Sequence, residues 1–595
     1  MATRITSRSR AWFFPTSPRS PYKLQGELAL LKQLEGRPWD TDTQIAFAHL
    51  LQRYPDFDGN ISDDDPAFSA RDRATRAPRL LGFVHLPKRG TRGPLRFTEV
   101  GNAFIEASEV EQVLIFQRQL AKVQFRSPLH DSGGFEQMHV KPLTAMIRLL
   151  LELEHMSKEE VALFGVTLTD ARRIGDTLRA VRDYRDQLAA RNAAARKIYR
   201  RQYADERIRT IYAEDIDAGH TRLREGGHDF VRIKWQTLVD YADATIRYLR
   251  ASGLFTVSPH GQRLVLLDAS ANDARFLLER YGTGLSPDLT GLTYDDYVST
   301  YLGNASAPEI RRDDLAAQGA DVRRLVASLE ERDPAVAQAL STAYRGATSS
   351  LQRLQILARL EKAQAEWQVR DEARSIRQDQ AASLAEIKAF YEEISSRQAQ
   401  VVDRPLMYEW NTWRAMVLMN DARSVQGNYT TDAAGNPLST AGGNQPDIRI
   451  EYETFHLIVE VTLSAGRRQY ETEGEPVSRH LGTLQRELLE AGDERPVFGI
   501  FVAETLNETV VQHLLTQARF RSQVYRGSIR IVPLPRNQFE DLVSRATSLA
   551  EFSHVILFRF FEAIFAQDAI QLGEYDWQDL VGNKIRNLHI LAEAP

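Results

Sequence analysis

The chain has 595 residues, of which 43% are hydrophobic and 26% are charged, so it is long enough for several folded domains. Its formal net charge of −5 does not indicate a nucleic-acid partner, which has to be sought in local basic patches. The absence of cysteine excludes disulfides, thiolate zinc sites and cysteine nucleophiles.

The N-terminal part of the chain predicts helices followed by a basic hairpin. Apolar residues at three- and four-residue spacing predict helix over 24–55, and a second helix is predicted over 69–82. Two short apolar runs at 83–86 and 94–97 flank a turn rich in lysine and arginine, which predicts a β-hairpin. A helix then returns over 99–107. Helix, helix and basic hairpin in this order are typical of a winged helix.

The same order of elements is predicted a second time. Helices come first, over 141–153, 158–164, 169–190 and 234–252. Strands at 253–257 and 263–267 then flank a turn that contains proline and glycine. We therefore expect a mainly helical DNA-recognition region over 1–267, built from two winged-helix-like units at about 1–135 and 136–267.

Beyond residue 267 the pattern changes twice. Residues 268–400 are mostly helical and polar, and their last fifty residues lack proline and glycine, which predicts a helical linker. In the remainder, strands are predicted at 447–452, 456–463, 496–502 and 528–533, and helices at 405–423, 476–491, 507–520 and 537–548. This alternation predicts an α/β domain over 401–595.

The most informative motif lies in the first two of these strands. Asp447 follows Pro446, and Glu460 follows after twelve intervening residues and begins the run Glu-Val-Thr. Because strand side chains alternate, Glu460 and Thr462 share one face, and Asp447 joins them if the two strands pair. A hard divalent cation such as Mg²⁺ or Mn²⁺ prefers such carboxylate oxygens together with a carbonyl, which Val461 would supply.

Metal-assisted phosphodiester hydrolysis is the chemistry that this pattern indicates. The spacing is that of the PD-(D/E)xK nucleases, except that Thr462 occupies the position of the usual lysine. No lysine lies between Lys388 and Lys584, so another group is expected to take over its role, and His480 is the nearest basic candidate. The residues that could contact the site or orient the attacking water are Glu409, Glu473, Glu475 and His480.

Basic residues near the two predicted hairpins are candidates for DNA contact. The planar guanidinium group of arginine binds both guanine edges and phosphates. For any single residue, the alternative is that it belongs to a solvent-exposed basic helix face and does not contact DNA. In the first unit the candidates are Arg71, Arg73, Arg76 and Arg79 on or beside the helix, and Lys88, Arg89 and Arg92 at the hairpin tip. In the second unit they are Arg172, Arg173, Arg179 and Arg182.

Several segments together resemble the AlwI-like family of type IIS restriction endonucleases and their strand-nicking relatives. They are Ser17-Pro18-Arg19-Ser20-Pro21-Tyr22-Lys23, residues 406–415, Pro446-Asp447, Glu460-Val461-Thr462, Glu473 and His480. The resemblance covers nearly the whole chain. That family also lacks the usual lysine, so Thr462 departs from the broad nuclease motif and not from the family.

This resemblance implies a recognition region, a helical linker and a C-terminal PD-(D/E)xK-like nuclease domain. It implies Asp447, Glu460 and the Val461 carbonyl as ligands of Mg²⁺, and it makes Glu409, Glu473 and His480 site residues. Lys23, in the N-terminal segment, joins the residues expected to bind DNA. The implied activity is cleavage of double-stranded DNA at a fixed distance to one side of a short asymmetric site.

Two alternatives stay open. One metal site per chain cuts one strand at a time, so the protein is a strand-nicking enzyme, or it needs a transient homodimer or a small nuclease subunit for double-strand cleavage. A non-catalytic winged-helix DNA-binding protein is the second alternative. The chain has no Gly-Lys dipeptide for a P-loop and no apolar stretch or signal typical of membrane proteins. We expect a prokaryotic-type cytoplasmic protein without a nucleotide cofactor.

Overall fold

The protein consists of two compact units, Met1–Ala365 and Glu366–Pro595. The computed structural model describes residues 9–593 except for 55–56, 58–60, 62–63, 89, 131–133, 220, 222–229, 259, 290, 397–399, 420, 443–444 and 550–551. Within these ranges the chain is mostly helical and carries a mixed sheet in its C-terminal half, as the sequence predicts. No described helix combines the length and the hydropathy needed to cross a membrane.

The first unit is built mainly from helices. In chain order they are α1 Leu24–Lys32, α2 Thr41–Gln52, α3 Pro66–Thr75, α4 Ala77–Leu80, α5 Glu99–Glu106, α6 Glu109–Lys122, α7 Pro142–Leu153, α8 Lys158–Glu160, α9 Ile174–Ala189, α10 Ala193–Ile211, α11 Ala213–Asp217, α12 Phe230–Ala251, α13 Ala271–Tyr281, α14 Tyr294–Asp296, α15 Leu315–Glu330, α16 Pro334–Gly346 and α17 Ser350–Gln378, which continues into the second unit. The strands are β1 Val84–His85, β2 Arg96–Phe97, β3 His155–Ser157, β4 Phe255–Val257 and β5 Arg263–Leu266.

Both predicted hairpins are present in the first unit. Strands β1 and β2 pair antiparallel, with Val84 opposite Phe97. Strands β4 and β5 also pair antiparallel, and β3 joins on the other side of β5. Helices precede each hairpin in the predicted order. The interpretation of these two assemblies as winged helices stays a prediction.

In each hairpin, a glycine with positive φ lies two positions before the first strand. Gly82, two positions after the end of α4, has φ +71°, and Gly253, two positions after the end of α12, has φ +67°. This left-handed backbone region favours glycine because a Cβ atom would collide with the following carbonyl. At Gly82 a Cβ would also lie 2.6 Å from Leu302. The shared turn supports a similar architecture in two segments whose sequences differ.

Two helices of the first unit depart from the predicted bounds. The helix predicted over 24–55 is split, because Gly36 adopts φ +84° and Asp40 caps a new helix by accepting a hydrogen bond from the Thr43 amide at 3.0 Å. The helix predicted over 69–82 breaks at Arg76, where α3 ends and α4 begins. Both departures reflect local capping and backbone geometry that apolar spacing does not encode.

The second unit combines helices with a sheet. Its helices are α18 Gln380–Ser395, α19 Arg404–Met419, α20 Arg467–Glu490, α21 Glu508–Arg519, α22 Arg536–Ser548, α23 His554–Ile564, α24 Glu574–Arg586 and α25 Leu588–Glu593. Its strands are β6 Ser424–Gly427, β7 Thr430–Thr431, β8 Pro437–Ser439, β9 Ile448–Glu451, β10 His456–Thr462, β11 Val497–Ala503 and β12 Ile531–Pro535.

The main sheet of the second unit has the strand order β12-β11-β10-β9-β6. Strands β10, β11 and β12 are parallel, while β9 and β6 run antiparallel to their neighbours. Every residue of β11 is buried, which is typical of a central parallel strand covered on both faces. Helices α20 and α21 cover one face through a core that contains Ile458, Val477, Leu481, Phe501 and Leu514.

Helix α20 is longer than predicted. The sequence predicts it over 476–491, but it begins at Arg467 and keeps Pro476 in its interior, where proline usually ends a helix. Packing of Val477 and Leu481 against the sheet stabilises a helix that local propensity would end. As a result Glu473 and His480 lie on the same helix, seven residues apart, and therefore on the same face.

Candidate active site

Strand pairing brings the two motif carboxylates together. In the antiparallel β9–β10 pair, Ile448 lies opposite Val459, so the next position places Asp447 opposite Glu460. The Val461 amide donates a hydrogen bond to Oδ2 of Asp447 at 2.8 Å, which holds the two strand ends together. Asp447 and Glu460 therefore meet at the end of β10, and only 6% of Glu460 is exposed.

Helix α20 adds a histidine and a third acid to this pair. Nδ1 of His480 lies 2.8 Å from Oε1 of Glu460, and both side chains are more than nine-tenths buried. The Thr462 hydroxyl donates a hydrogen bond to Oε1 of Glu473 at 2.9 Å. Glu460 and Thr462 share the strand face that packs on α20, so the helix supplies one partner to each of them.

Glu409 on α19 brings a fourth carboxyl group to the site. It is 6% exposed, and its Oε2 atom has no hydrogen-bond partner among the described atoms. Burial, followed by the charges of Asp447, Asp403 and Glu460, raises the pKa of Glu409 well above its usual range. The sequence prediction did not include Asp403, although an acid directly before the first residue of a helix is a recognisable signal.

Electrostatics at the site favour a bound cation. Burial and the charge of Glu460 raise the pKa of Asp447 well above its usual range, and burial and the charge of Glu473 do the same to Glu460. Burial also raises the pKa of Glu473, against the hydrogen bonds from Thr462 and Thr472. Acids that are buried together and repel one another gain most from a divalent cation.

The donor set fits such a cation only if backbone and water oxygens contribute. Within the described ranges, no three His, Asp or Glu side chains are grouped so that they could hold a metal ion. Asp447 and Glu460 provide two carboxylates, and the Val461 carbonyl extends from the strand that carries Glu460. This combination agrees with the preference of Mg²⁺ for few carboxylates and several waters.

Positive charge near these acids comes from groups other than lysine. The charge of Lys388 acts on Glu540 of α22, whereas the charge of Arg479 acts on Glu460 and lowers its pKa against the effect of burial. Arg479 also donates from Nε to Glu475 at 3.2 Å, and Glu475 is 71% exposed. Glu475 therefore faces solvent, unlike Glu473 two residues earlier.

Gln469 is a buried residue that the sequence prediction did not identify. Its Nε2 atom donates to the carbonyls of Ser464 and Thr505, both at 2.9 Å, and its Oε1 atom accepts from the Asn507 amide at 2.8 Å. These bonds join the loop after β10 to the loop after β11 at the start of α20. Gln469 thereby positions the helix that carries Glu473 and His480.

The predicted DNA-binding arginines of α3 and α4 differ in exposure. Arg71 is exposed and lies over the ring of Phe68 at 5.2 Å. Arg73 is only 12% exposed, because it forms an ion pair with the buried Glu27. Arg76 pairs with Asp72 at 2.7 Å, and Arg79 donates from Nε to the Tyr294 hydroxyl at 3.1 Å.

The other predicted DNA-binding residues are mostly exposed. Lys88 and Arg92 lie at the tip of the first hairpin, Arg89 falls outside the described residues, and Lys23 is half-buried in the turn before α1. In the second group Arg172 pairs with Asp170 at 2.7 Å, Arg173 with Asp176 at 3.7 Å, and Arg179 with Asp176 at 2.5 Å. Their charge is therefore partly compensated by neighbouring acids, and a role for each residue in DNA binding stays a prediction.

An acid-rich site at one end of a mixed sheet is typical of nucleases and other phosphoryl hydrolases. The family model of the AlwI restriction endonuclease matches residues 80–542, well over half of the chain. The chain therefore belongs to the AlwI restriction endonuclease family, as the sequence predicts, and it is a restriction endonuclease that acts on double-stranded DNA. The match includes Glu409, Asp447, Glu460, Glu473 and His480, whereas the N-terminal segment 17–23 lies outside it.

Comparisons with curated protein sequences and with solved structures do not extend this family assignment. No curated protein sequence matches the chain. Among solved structures, the chain is similar to the small subunit (R.BspD6I2) of the heterodimeric restriction endonuclease R.BspD6I, at 24% sequence identity over 34% of this chain and 98% of that chain, with a TM-score of 0.28. At this TM-score the similarity does not establish a shared architecture.

Proposed function

We propose that the protein is a metal-dependent type IIS endonuclease with a PD-(D/E)xK-like site. It binds a short asymmetric DNA sequence and hydrolyses phosphodiester bonds at a fixed distance to one side. The observation that carries the proposal is the hydrogen bond from the Val461 amide to Asp447, which holds this acid beside the strand end that carries Glu460, with His480 bonded to Glu460 at 2.8 Å. Membership of the AlwI family supports the same activity.

Asp447, Glu460 and the Val461 carbonyl would hold Mg²⁺ or Mn²⁺. When bound, such a cation lowers the pKa of a coordinated water and neutralises negative charge on the scissile phosphate. Glu409, with a buried and unpartnered oxygen, is available to orient water or a water-bound ligand at the same site. The bond from the Val461 amide fixes Asp447 in position without using both of its carboxylate oxygens.

His480 is the residue that we assign to proton transfer. With Glu460 ionised, its oxygen can only accept, so Nδ1 of His480 carries the proton. In the neutral imidazole Nε2 is then the nitrogen that accepts a proton. When it is ionised, Glu473, which is held by Thr462, would place a negative charge beside this pair and stabilise the imidazolium.

Separate recognition and cleavage regions are the second part of the proposal. Residues 1–267 would read DNA through two winged-helix-like units, residues 268–400 would act as a helical linker, and residues 401–595 would cut. The two hairpins with equivalent glycines support this division, as do the exposed side chains of Arg71, Lys88 and Arg92 near the first hairpin. Cutting to one side of the recognition sequence requires such a separation.

Strand nicking, or action as the large subunit of a two-subunit enzyme, is the second candidate. The described chain holds one set of paired motif carboxylates, at Asp447 and Glu460. A single metal site hydrolyses one strand at a time, so double-strand cleavage would need a transient homodimer or a small nuclease subunit. Time courses that start from supercoiled plasmid separate the two candidates, because persistent open circles indicate nicking and linear product indicates cleavage of both strands.

Cleavage of plasmid DNA with Mg²⁺ tests the central proposal. The wild-type chain should convert supercoiled DNA to discrete products, and sequencing of the ends should place them at one offset from a shared short sequence. Asp447→Ala should abolish cleavage and retain DNA binding, whereas Glu475→Gln, on the solvent face of α20, should cleave normally. A protein that binds DNA but cleaves none of a diverse set of plasmids would instead be a non-catalytic winged-helix protein.

A further inference from the structure

The second unit contains an arginine-rich cavity that the proposed cleavage chemistry does not use. The cavity has a volume of about 470 Å³ and is lined by Arg495, Arg519, Arg521, Arg526 and Arg530. Glu494 is the carboxylate among its lining residues. This volume lies within the range of small-ligand sites, roughly 300–1,000 Å³.

The arginine cavity lies at the opposite end of the sheet from the candidate active site. It is lined by Val497, the first residue of β11, and by Arg530, which directly precedes β12. Strands β10 and β11 are parallel and pair in register, with His456 opposite Val497 and Thr462 opposite Ala503. Seven-residue strands separate their two ends by about 20 Å. The two sites are therefore distinct.

Two of the arginines are held in place without a close carboxylate partner. Arg519 donates from Nε and Nη2 to the carbonyls of Ile570 and Leu572, at 2.6 and 2.7 Å. Arg530 lies over the ring of Phe498 at 4.3 Å, and its ion pair with Glu562 spans 3.9 Å. Carbonyl and ring contacts orient a guanidinium without cancelling its charge.

A tight turn adds two more arginines at the rim. Ser522 and Gly527 exchange backbone hydrogen bonds at 2.9 and 3.1 Å, and this turn brings the exposed Arg521 and Arg526 to the cavity. Arg526 lies 3.4 Å from Glu490, a long contact between exposed side chains that competes weakly with a ligand. The turn therefore presents cationic groups toward the two oriented arginines.

The fifth arginine has a different role. Arg495 donates to Asp493 at 2.6 Å, to Glu451 at 3.1 Å and to the Tyr452 carbonyl at 2.7 Å, so its charge is already compensated. It forms part of the cavity wall. Positive charge inside the cavity therefore comes from the other four arginines and is opposed directly by Glu494.

We infer that this cavity binds a phosphate group. Guanidinium groups form bidentate hydrogen bonds to the oxygens of tetrahedral oxyanions, and several of them line this one cavity. The phosphate comes either from the backbone of the DNA that the enzyme handles or from a free phosphorylated small molecule. The inference concerns binding alone, so it stands or falls independently of the cleavage chemistry.

Binding measurements on the full chain in EDTA test the inference. Inorganic phosphate and AMP are titrated by calorimetry, and a duplex of mixed sequence is titrated by fluorescence anisotropy at several salt concentrations. The test variant is Arg521→Ala/Arg526→Ala, because both side chains are exposed. The control is Arg374→Ala/Arg545→Ala, which removes two acid-paired arginines elsewhere in the same unit, of which Arg374 is exposed and Arg545 half-buried.

The wild type should bind phosphate or AMP, and the test variant should bind it at least about tenfold more weakly than the control does. If the ligand is DNA, the slope of log K against log salt should also decrease in magnitude by about 2, as expected for two lost phosphate contacts. Loss of AMP binding with an unchanged DNA slope would assign the cavity to a free phosphorylated molecule. The inference is overturned if the test variant matches the control in both measurements.

Discussion

Asp447→Asn should stabilise the metal-free protein while abolishing its activity. If the β9–β10 register continues by one residue, Asp447 lies opposite Glu460 with Cβ atoms about 5 Å apart, and two charges at that distance repel by about 3 kcal/mol at an effective dielectric constant of about 20. Because burial and Glu460 raise the pKa of Asp447, part of this repulsion is already relieved by proton uptake. We therefore expect a gain of about 1–3 kcal/mol in the free energy of unfolding.

The asparagine keeps the structural contact, because its amide oxygen still accepts the hydrogen bond from the Val461 amide. For a unit of this size, 1–3 kcal/mol corresponds to an increase of about 3–8 °C in apparent Tm. Thermal unfolding of the full chain in EDTA, and again across a Mg²⁺ titration, measures both effects. Mg²⁺ should raise the Tm of the wild type and change that of the variant little.

Two results would refute this reasoning. The first is a variant that is less stable than the wild type in EDTA, which would mean that the ionised Asp447 stabilises the metal-free site. The second is an equal Mg²⁺-dependent rise in Tm for both proteins, which would place the cation elsewhere. Glu475→Gln is the matched control, since this exposed acid on α20 should change stability by less than about 0.5 kcal/mol.

Three further predictions concern single residues. His480→Gln should reduce single-turnover cleavage by about 10²–10⁴-fold with unchanged DNA affinity. Burial lowers the pKa of Lys122 to about 7, so above that pH the folded state binds fewer protons than the unfolded state. The free energy of unfolding, measured by chemical denaturation, should therefore rise from about pH 7 to 10 in the wild type. It should not rise in this way in Lys122→Met. Arg73→Ala breaks the ion pair with the buried Glu27 and should cost about 3–5 kcal/mol, whereas Arg71→Ala should weaken DNA binding and leave Tm unchanged.

Each of these expectations has a result that contradicts it. Normal cleavage by the His480 variant would remove that residue from proton transfer. Parallel pH profiles for Lys122→Met and the wild type would mean that the acceptors around its ammonium, the Gln119 side chain and the carbonyls of Leu302 and Asn304, hold the charge throughout. Unchanged stability in Arg73→Ala would show that the ion pair between Arg73 and Glu27 contributes little to the stability of the fold.

Strand parity was the part of the site that sequence could predict. The alternation around Glu460 places it on the face of Thr462, and the bond from the Val461 amide holds Asp447 beside that end of the strand. A buried strand constrains side-chain direction strongly, because a one-residue slip would turn every apolar residue to the wrong face. Glu409 and His480 come from helices outside the strand pattern, and they were predicted from their nearness in sequence and then supported by the family resemblance.

Contacts between distant segments could not be predicted in this way. The partner of Arg73 is Glu27, forty-six positions away in another helix, and periodicity carries no information about such pairs. The interior position of Pro476 likewise depends on packing of α20 against the sheet. For the same reason the hydrogen bonds of Gln469 to two separate loops could not be predicted from the residues around it.

Thr462 occupies the position of the usual lysine, and this replacement changes the charge balance of the site. A lysine at this position would bring a permanent positive charge beside Glu460, but Thr462 instead donates a hydrogen bond to Glu473, which brings a third acid close to the pair. The substitution therefore makes the site more negative. His480, Arg479 and the proposed cation are then left to balance Asp447, Glu460 and Glu473. An acid cluster with so little internal compensation should require its metal both for binding the scissile phosphate and for holding these carboxylates ionised.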